Sequence, residues 1–394
     1  MAAGVYLHIP FCKSRCSYCD FATDVYRDSH AVERYVDAIC REIRSEPHAL
    51  AGGQIVSEDQ RDTNWPAAHA AGSDIDTIYF GGGTPSLLEP AQVEKIINSV
   101  NSVFSVAINS EITMEMNPAT VTPEKLDAFK SLGINRASFG VQTFNERDLK
   151  LLARGHDAND ARQTYRMLRE AGFANISLDL IAGLPGQTLE DWSQNLNEAI
   201  VMEPEHLSLY LLEIHESTPL AEQVRSGRRV PIDDELAAEM YEMMLDRLAA
   251  VGYRQYEISN FAKPGYQSRH NNKYWLLDPV YGFGVSAHSF DGRYRYANEA
   301  DTAKYVELIE QVAEAEVFRE TINAASEFIF LGLRLVKGIE LDEYNKQFRE
   351  PLIEKYSTEI ERLLDAGLIE LSTDRVRLTR KGQLFSNTVF AEFV

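Results

Sequence analysis

Short apolar runs alternate with amphipathic stretches through the first half of the chain, and that alternation is its main structural signal. Residues 5–9, 76–80, 111–116, 136–141, 176–181 and 206–211 each read as a buried strand. The stretches 29–46, 90–104, 123–132, 157–171 and 189–202 carry helical period; in the first of them Val32, Tyr35, Val36, Ile39 and Ile43 fall on one face. Six β units alternating with helices predict an α/β fold, a partial (β/α)6 TIM-like barrel with its helices packed outside. The span 47–73 follows neither period and reads as a surface insertion, with His48 and His69 as solvated loop residues. Toward the end, helical period over 328–335, 341–348 and 352–366 gives way to short strands at 367–371 and 375–379. This predicts a C-terminal α+β domain of winged-helix type. The expected organisation is a core barrel over 1–235, a connecting region over 236–323 and the C-terminal domain over 324–394.

In barrels of this kind the reactive groups sit at the C-terminal ends of the strands. The unusual residues of this chain fall there. Cysteines follow the first strand and Gly81-Gly82-Gly83-Thr84 follows the second. Glu115 ends the third, Gln142 the fourth, and Asp179 lies near the end of the fifth. Glu115 and Asp179 are acids in apolar strands, where an unpaired charge is costly, so each needs a partner. The glycine run is neither a P-loop nor a dinucleotide fingerprint; without side chains it lets a ligand approach the backbone. Taken alone it is also compatible with a simple turn.

Composition narrows the setting. The 394 residues carry a formal charge of -21 and no run of five basic residues, which disfavours nonspecific binding to nucleic acid. The C-terminal domain, with ten basic and twelve acidic residues over 325–394, reads as a scaffold or lid, not a DNA reader. No apolar stretch is long enough to span a bilayer and no basic-then-apolar leader is evident, so a cytoplasmic protein with at most peripheral membrane contact is expected.

Three of the four cysteines, Cys12, Cys16 and Cys19, lie within eight residues; Cys40 stands apart on a helical face and reads as a small buried residue. A disulfide framework wants an even set and a zinc site a fourth ligand. Three thiolates can instead hold three irons of a cubane and leave the fourth open. The spacing C-x3-C-x2-C, with Tyr18 before the last Cys, resembles the radical S-adenosylmethionine (SAM) superfamily. The resemblance implies a [4Fe-4S] cluster on these three cysteines and SAM on the open iron. The glycine loop would then meet the amino-acid part of SAM, Glu115 or Asp179 its ribose or cationic groups, and Arg154 its carboxylate; Arg154 can equally pair with one of the acids.

The order Tyr6, Cys12/Cys16/Cys19, Gly82-Gly83-Thr84, Glu115, Gln142, Arg154, Asp179 is similar to that of two related families, the oxygen-independent coproporphyrinogen III oxidases and the HemW heme chaperones. By that resemblance Tyr6, Tyr18, Gly82, Gly83, Thr84, Glu115, Gln142, Arg154 and Asp179 form the SAM site. The oxidase pattern has a further cysteine where this chain has Phe21, and a longer N-terminal arm. Arg269-His270-Asn271-Asn272-Lys273-Tyr274-Trp275 matches the H-N-x-x-Y-W motif that the chaperone family uses for heme. The resemblance implies heme contact by His270, Asn271, Tyr274 and Trp275, with His270 as axial ligand and Arg269 near a propionate. His288 is a second candidate ligand, and His8 reads as support for the cysteine loop. The expected function is heme transfer to an apo-hemoprotein client, a respiratory protein being one candidate. The alternative is a porphyrinogen-oxidising radical SAM enzyme of heme biosynthesis, against which Phe21 speaks.

Overall fold

A computed structural model describes residues 2–25, 28–45 and 74–394, so the expected insertion over 47–73 lies outside the described residues. In chain order the barrel half comprises β1 (Ala3–Ile9), α1 (Ser29–Ser45), β2 (Asp74–Gly82), α2 (Pro90–Val103), β3 (Ser105–Met116) and α3 (Pro123–Ser131). It continues with β4 (Arg136–Gln142), α4 (Ala158–Glu170), β5 (Ile176–Ala182), α5 (Leu189–Met202), β6 (His206–Leu211) and α6 (Asp234–Ala250). Then come β7 (Arg254–Glu257), β8 (Asn260–Ala262), α7 (Arg269–Trp275), β9 (Val280–Phe283), β10 (His288–Phe290), β11 (Tyr294–Asn298), α8 (Thr302–Val312), β12 (Glu316–Thr321) and α9 (Ala324–Arg334).

These strands form one 12-stranded sheet in the order β12-β11-β10-β9-β1-β2-β3-β4-β5-β6-β8-β7. From β9 through β1 to β6 every pairing is parallel, and antiparallel strands extend both edges. Parallel strands are covered on both faces, which is why they read as apolar runs. The segment 236–323, expected as a connector, supplies β7–β12 to this same sheet, and β9 pairs directly with β1. Its strands are three to six residues long, too short for a periodic signal.

The helices begin where their capping residues stand. Pro90 opens α2 behind a Glu89/Gln92 capping box, Asp157 and Asp160 cap α4, Thr188 and Asp191 cap α5, and Ser268 caps α7. Cys40 is fully buried in α1, as expected. The C-terminal domain has its own apolar core around Ile329, Leu333, Tyr344, Ile360 and Val376. Its sheet has three strands, Ile369–Leu371, Arg375–Leu378 and the two-residue Ile339–Glu340, one more than the pair expected. Arg362, Arg375, Arg377 and Arg380 are each ion-paired to an acid, and Arg380 and Gln383 reach back to Glu242, Asp246 and Tyr241 on α6.

Tyr35 ties the first strand to the late one. Its buried hydroxyl donates to the carbonyl of His8 at 2.6 Å and accepts from the amide of Val285 at 3.0 Å. Gly284 makes this approach possible: its φ is +100° and a Cβ there would stand 2.5 Å from the Tyr35 hydroxyl. Tyr35→Phe leaves two buried backbone groups unpaired and should cost about 1–3 kcal/mol in a denaturant titration. An unchanged midpoint would mean that water replaces the hydroxyl.

Candidate functional site

At the C-terminal ends of the parallel strands a cavity of about 730 Å³ runs from the cysteine loop across the strand ends to the C-terminal domain. All three loop cysteines line it, each half-buried and free. The loop is held from several sides. Ser17 donates its amide to Leu152 and its hydroxyl to Leu151, both at 2.9 Å, and its carbonyl accepts from the amide of Leu220 at 2.8 Å. His8, one strand below, accepts from the Tyr6 hydroxyl at 3.1 Å and donates through its Nε2 to the Ala22 carbonyl at 2.8 Å. Burial lowers the pKa of His8. It therefore acts as a neutral strut under the loop, the role read for it.

A polar chain joins the first two cysteines. Thr84 Oγ1 donates to Cys12 Sγ at 3.6 Å and accepts from Asn117 Nδ2 at 2.6 Å. Asn117 Oδ1 accepts from Arg154 at 2.7 Å, and Arg154 reaches Cys16 Sγ at 3.5 Å and the Gly140 carbonyl at 2.5 Å. Asn117 carries no mark of this role in the sequence, where it only precedes Pro118 after the end of β3. The Asn-Pro signal marks the turn and says nothing of where the amide points.

These donors fit an iron–sulfur cluster. Burial pushes the Cys12 thiol up to about 11 and raises Cys19, so these sulfurs ionise only beside a cation. Arg154 and Thr84 supply hydrogen bonds to sulfur, the usual support of such ligands. Among the described residues no three His, Cys, Asp or Glu side chains converge on a single ion. Cubane ligands have no need to converge, since each binds a different iron.

Of the nine residues expected to meet SAM, Tyr18, Gly82, Gly83, Glu115, Gln142, Arg154 and Asp179 line the cavity. Tyr6 lies below it in the barrel lumen, bonded to His8, and Thr84 stands behind Cys12. The glycines also have a packing reason, beside the ligand contact expected of them. A Cβ on Gly82, whose φ is +108°, would lie 2.8 Å from the His8 ring, and one on Gly83 would lie 2.6 Å from the Pro10 carbonyl. Their amides are taken as well, by Glu115 Oε2 at 3.1 Å and by the Ile9 carbonyl at 2.8 Å. The loop is thus packed against protein from below and offers the cavity only its upper edge.

Glu115 also accepts from the Tyr79 hydroxyl at 2.8 Å. Even so, burial, reinforced by Asp179, raises its pKa to about 7. Asp179 is raised by the same burial, with Ser138 and Ser208 as hydrogen-bond partners. Glu115, partly protonated at neutral pH, and the buried Asp179 near it are poised to receive a cation or a hydroxyl-rich ligand. Beyond them the cavity reaches Tyr210, Arg334, Gln383 and Asn387, which carried no sequence signal, and Phe21, 64% exposed at the rim.

The H-N-x-x-Y-W segment lies at the opposite end of the barrel. Helix α7 closes the floor: Arg269 and Lys273 pair with Asp76, and Lys273 also bonds the Ala2 carbonyl. His270 is 1% exposed, with Nδ1 bonded to Thr77 at 2.9 Å and Nε2 to Tyr274 at 3.1 Å. The expectation that His270 offers a nitrogen to iron therefore meets a ring with both nitrogens engaged inside the lumen, stacked 5.1 Å from Tyr79. Arg269, expected near a propionate, is spent on Asp76 and the Asn109 carbonyl. Asn271 is half-buried, while Tyr274 and Trp275 border a second, smaller pocket on the outer side.

Residues 6–199 match the model of the radical SAM superfamily and residues 321–385 that of the HemN C-terminal domain. The chain is 35% identical to the heme chaperone HemW of Bacillus subtilis, covering 99% of both proteins. It is 32% identical to the heme chaperone HemW of Escherichia coli, over 99% of this chain and 98% of that one. Among solved structures, the coproporphyrinogen III oxidase HemN of Escherichia coli superposes with a TM-score of 0.84 at 21% identity, over 100% of this chain and 90% of that one, a likeness of fold.

Two expectations follow from the geometry. Cys12→Ala, Cys16→Ala and Cys19→Ala should each abolish the broad cluster absorbance after anaerobic reconstitution. Asn117→Ala should retain it but lose it several-fold faster to a chelator, and Cys40→Ala should leave it unchanged; equal loss from Cys40→Ala would sink the ligand set. The second concerns Glu115, whose folded pKa of about 7 lies above its unfolded value. Below pH ~4 both states are protonated and the difference vanishes; as pH rises the buried carboxylate destabilises the fold increasingly, levelling off above about 7. Glu115→Gln should therefore gain stability over the cofactor-free wild type at pH 8, by roughly 1–3 kcal/mol, and lose that advantage near pH 4. A gain equal at both pH values would assign the effect to packing.

Proposed function

The chain belongs to the HemW heme chaperone family of the radical SAM superfamily, and from that premise we propose that it binds heme and passes it to an apo-hemoprotein. Its barrel mouth would carry a [4Fe-4S] cluster on Cys12, Cys16 and Cys19 with SAM beside it. The observation that carries the reading is the likeness to heme chaperones along the whole chain, with Phe21 standing where the oxidase pattern has its further cysteine.

When bound, the cluster would supply reducing electrons for chemistry on SAM. The residues of the chain do the rest. Arg154 and Thr84 fix two of the three sulfurs through Asn117. Arg154 also offers a cation for the SAM carboxylate, and Glu115 and Asp179 offer acceptors for its ammonium and ribose hydroxyls. Binding a cation beside Glu115 favours its ionised form, so SAM uptake should release a proton near neutral pH. Tyr18 packs with Leu151, Leu152 and Ile181 and walls the site on the loop side.

Heme would be held at the other end, where α7 presents Tyr274 and Trp275. The client class is an apo-hemoprotein, and a respiratory protein at the inner face of a membrane fits a cytoplasmic carrier that touches lipid only peripherally. No helix among the described residues is long and apolar enough to cross a membrane. For the C-terminal domain a bracing role over the barrel mouth is supported by Arg380 and Gln383, which bond to α6, and its balanced charge offers little to nucleic acid.

The test is anaerobic. Purified protein should bind hemin with a defined Soret band and convert an apo-hemoprotein to its holo form, without consuming coproporphyrinogen in the presence of SAM and reductant. Stoichiometric 5'-deoxyadenosine with decarboxylated porphyrinogen, and no heme transfer, would overturn the reading in favour of the oxidase.

A further inference from the structure

The pocket on the outer side of α7 has a volume of about 360 Å³ and apolar walls from Trp275, Leu277, Phe290, Phe330 and Leu331. His288 enters it from β10, two residues before Phe290 and on the same face of the strand. Unlike His270, it is exposed, and no hydrogen bond to its ring occurs among the described residues. The pocket wall partly desolvates its ring, and this and the nearby Arg295 lower its pKa. Arg295 spans the strand pair opposite Phe290, stacks on that ring at 5.4 Å, and gives only Nε and one terminal nitrogen to Glu327. Two buried polar atoms border the pocket without a hydrogen-bond partner, the indole Nε1 of Trp275 and Oδ1 of the 8% exposed Asp278.

Resting on the heme-carrier reading above, we propose that heme docks by one edge in this pocket with His288 as the axial ligand of its iron. His270 is then a positioning residue, which orients Tyr274 and pins α7 to the barrel floor. The bond formed is dative, from the neutral imidazole nitrogen to the iron, and displaces a water or hydroxide; no electron or proton need come from elsewhere. The walls give flat apolar contact, and the remaining terminal nitrogen of Arg295 faces a propionate. The volume lies at the low end for ligand pockets. Part of the porphyrin therefore stays in solvent, which suits cargo that must be handed on.

Hemin titration of the full chain, followed by absorption and magnetic circular dichroism, tests the assignment. His288→Ala should shift the Soret band, remove the iron–histidine signature and weaken retention at least tenfold, with far-UV dichroism and cluster absorbance unchanged. Added imidazole should restore the band. His270→Ala should weaken retention while leaving the band in place. A His288→Ala protein with the wild-type band and affinity overturns the proposal, as does a His270→Ala protein that is folded and has lost the iron–histidine signature. Failure of the wild type itself to bind hemin defeats the carrier reading, a result distinct from either variant outcome.

Discussion

A parallel sheet that does not close on itself leaves a lumen with an open floor, and in this protein helix α7 fills it. The amides of Arg269 and His270 at its first turn point at the buried carboxylate of Glu111, at 3.2 and 3.1 Å, so the helix N-terminus and the acid satisfy each other. Lys273 and Arg269 neutralise Asp76 from the same helix. His270 completes the closure, sharing its nitrogens between Thr77 on the barrel wall and Tyr274 on its own helix. Burial takes its pKa down to about 3, so the ring stays neutral and this arrangement persists across the physiological range. A histidine so placed is part of the floor before it is anything else.

From that floor a column of rings rises to the cofactor end. His270 stacks on Tyr79, Tyr79 on Tyr6, and the Tyr79 hydroxyl meets Glu115, which in turn holds the amide of Gly82. Along this column each polar group is paired with the next, as a buried network requires if it is not to cost stability, whereas Thr113 Oγ1 and Arg136 Nε on the adjoining strands are buried without a hydrogen-bond partner. Glu115 carries the remaining tension. It accepts two hydrogen bonds and still sits near neutrality in its titration, because neither partner offers a full positive charge.

The strand-helix alternation was legible because each parallel strand, buried on both faces, is a short apolar-rich run set between stretches of helical period. The cysteine loop, Glu115, Gln142 and Asp179 were legible for a related reason: a polar residue at the end of such a run has few explanations, whereas Arg154 was legible only through the family resemblance. What could not be read was direction. His270 and Tyr274 are four residues apart on one face of a short helix, and their sequence does not say that the face turns inward while Trp275 turns out. Likewise the glycine loop looked open for a ligand, yet His8 and Pro10 press against it, a contact between strand ends that adjacent sequence does not encode. The sheet's antiparallel margins escaped notice because strands such as Asn260–Ala262 and His288–Phe290 are shorter than any period.

The two ends of the molecule also meet outside the lumen. Arg334, at the C-terminus of α9, borders the large cavity, lies 4.3 Å over the Trp275 ring and pairs with Glu257, whose side chain has no exposure. The pair also carries Asn260 and the amide of Ser259 on the same carboxylate. A buried carboxylate holds its cation tightly because releasing it would leave an uncompensated charge, so Arg334 has little freedom to follow either end alone. Trp275, stacked on that fixed guanidinium, is correspondingly rigid. A flat ligand that meets Trp275 therefore meets a preorganised wall set by the C-terminal domain, and that domain's place in the fold is accounted for by bracing both the barrel mouth and the aromatic edge of α7.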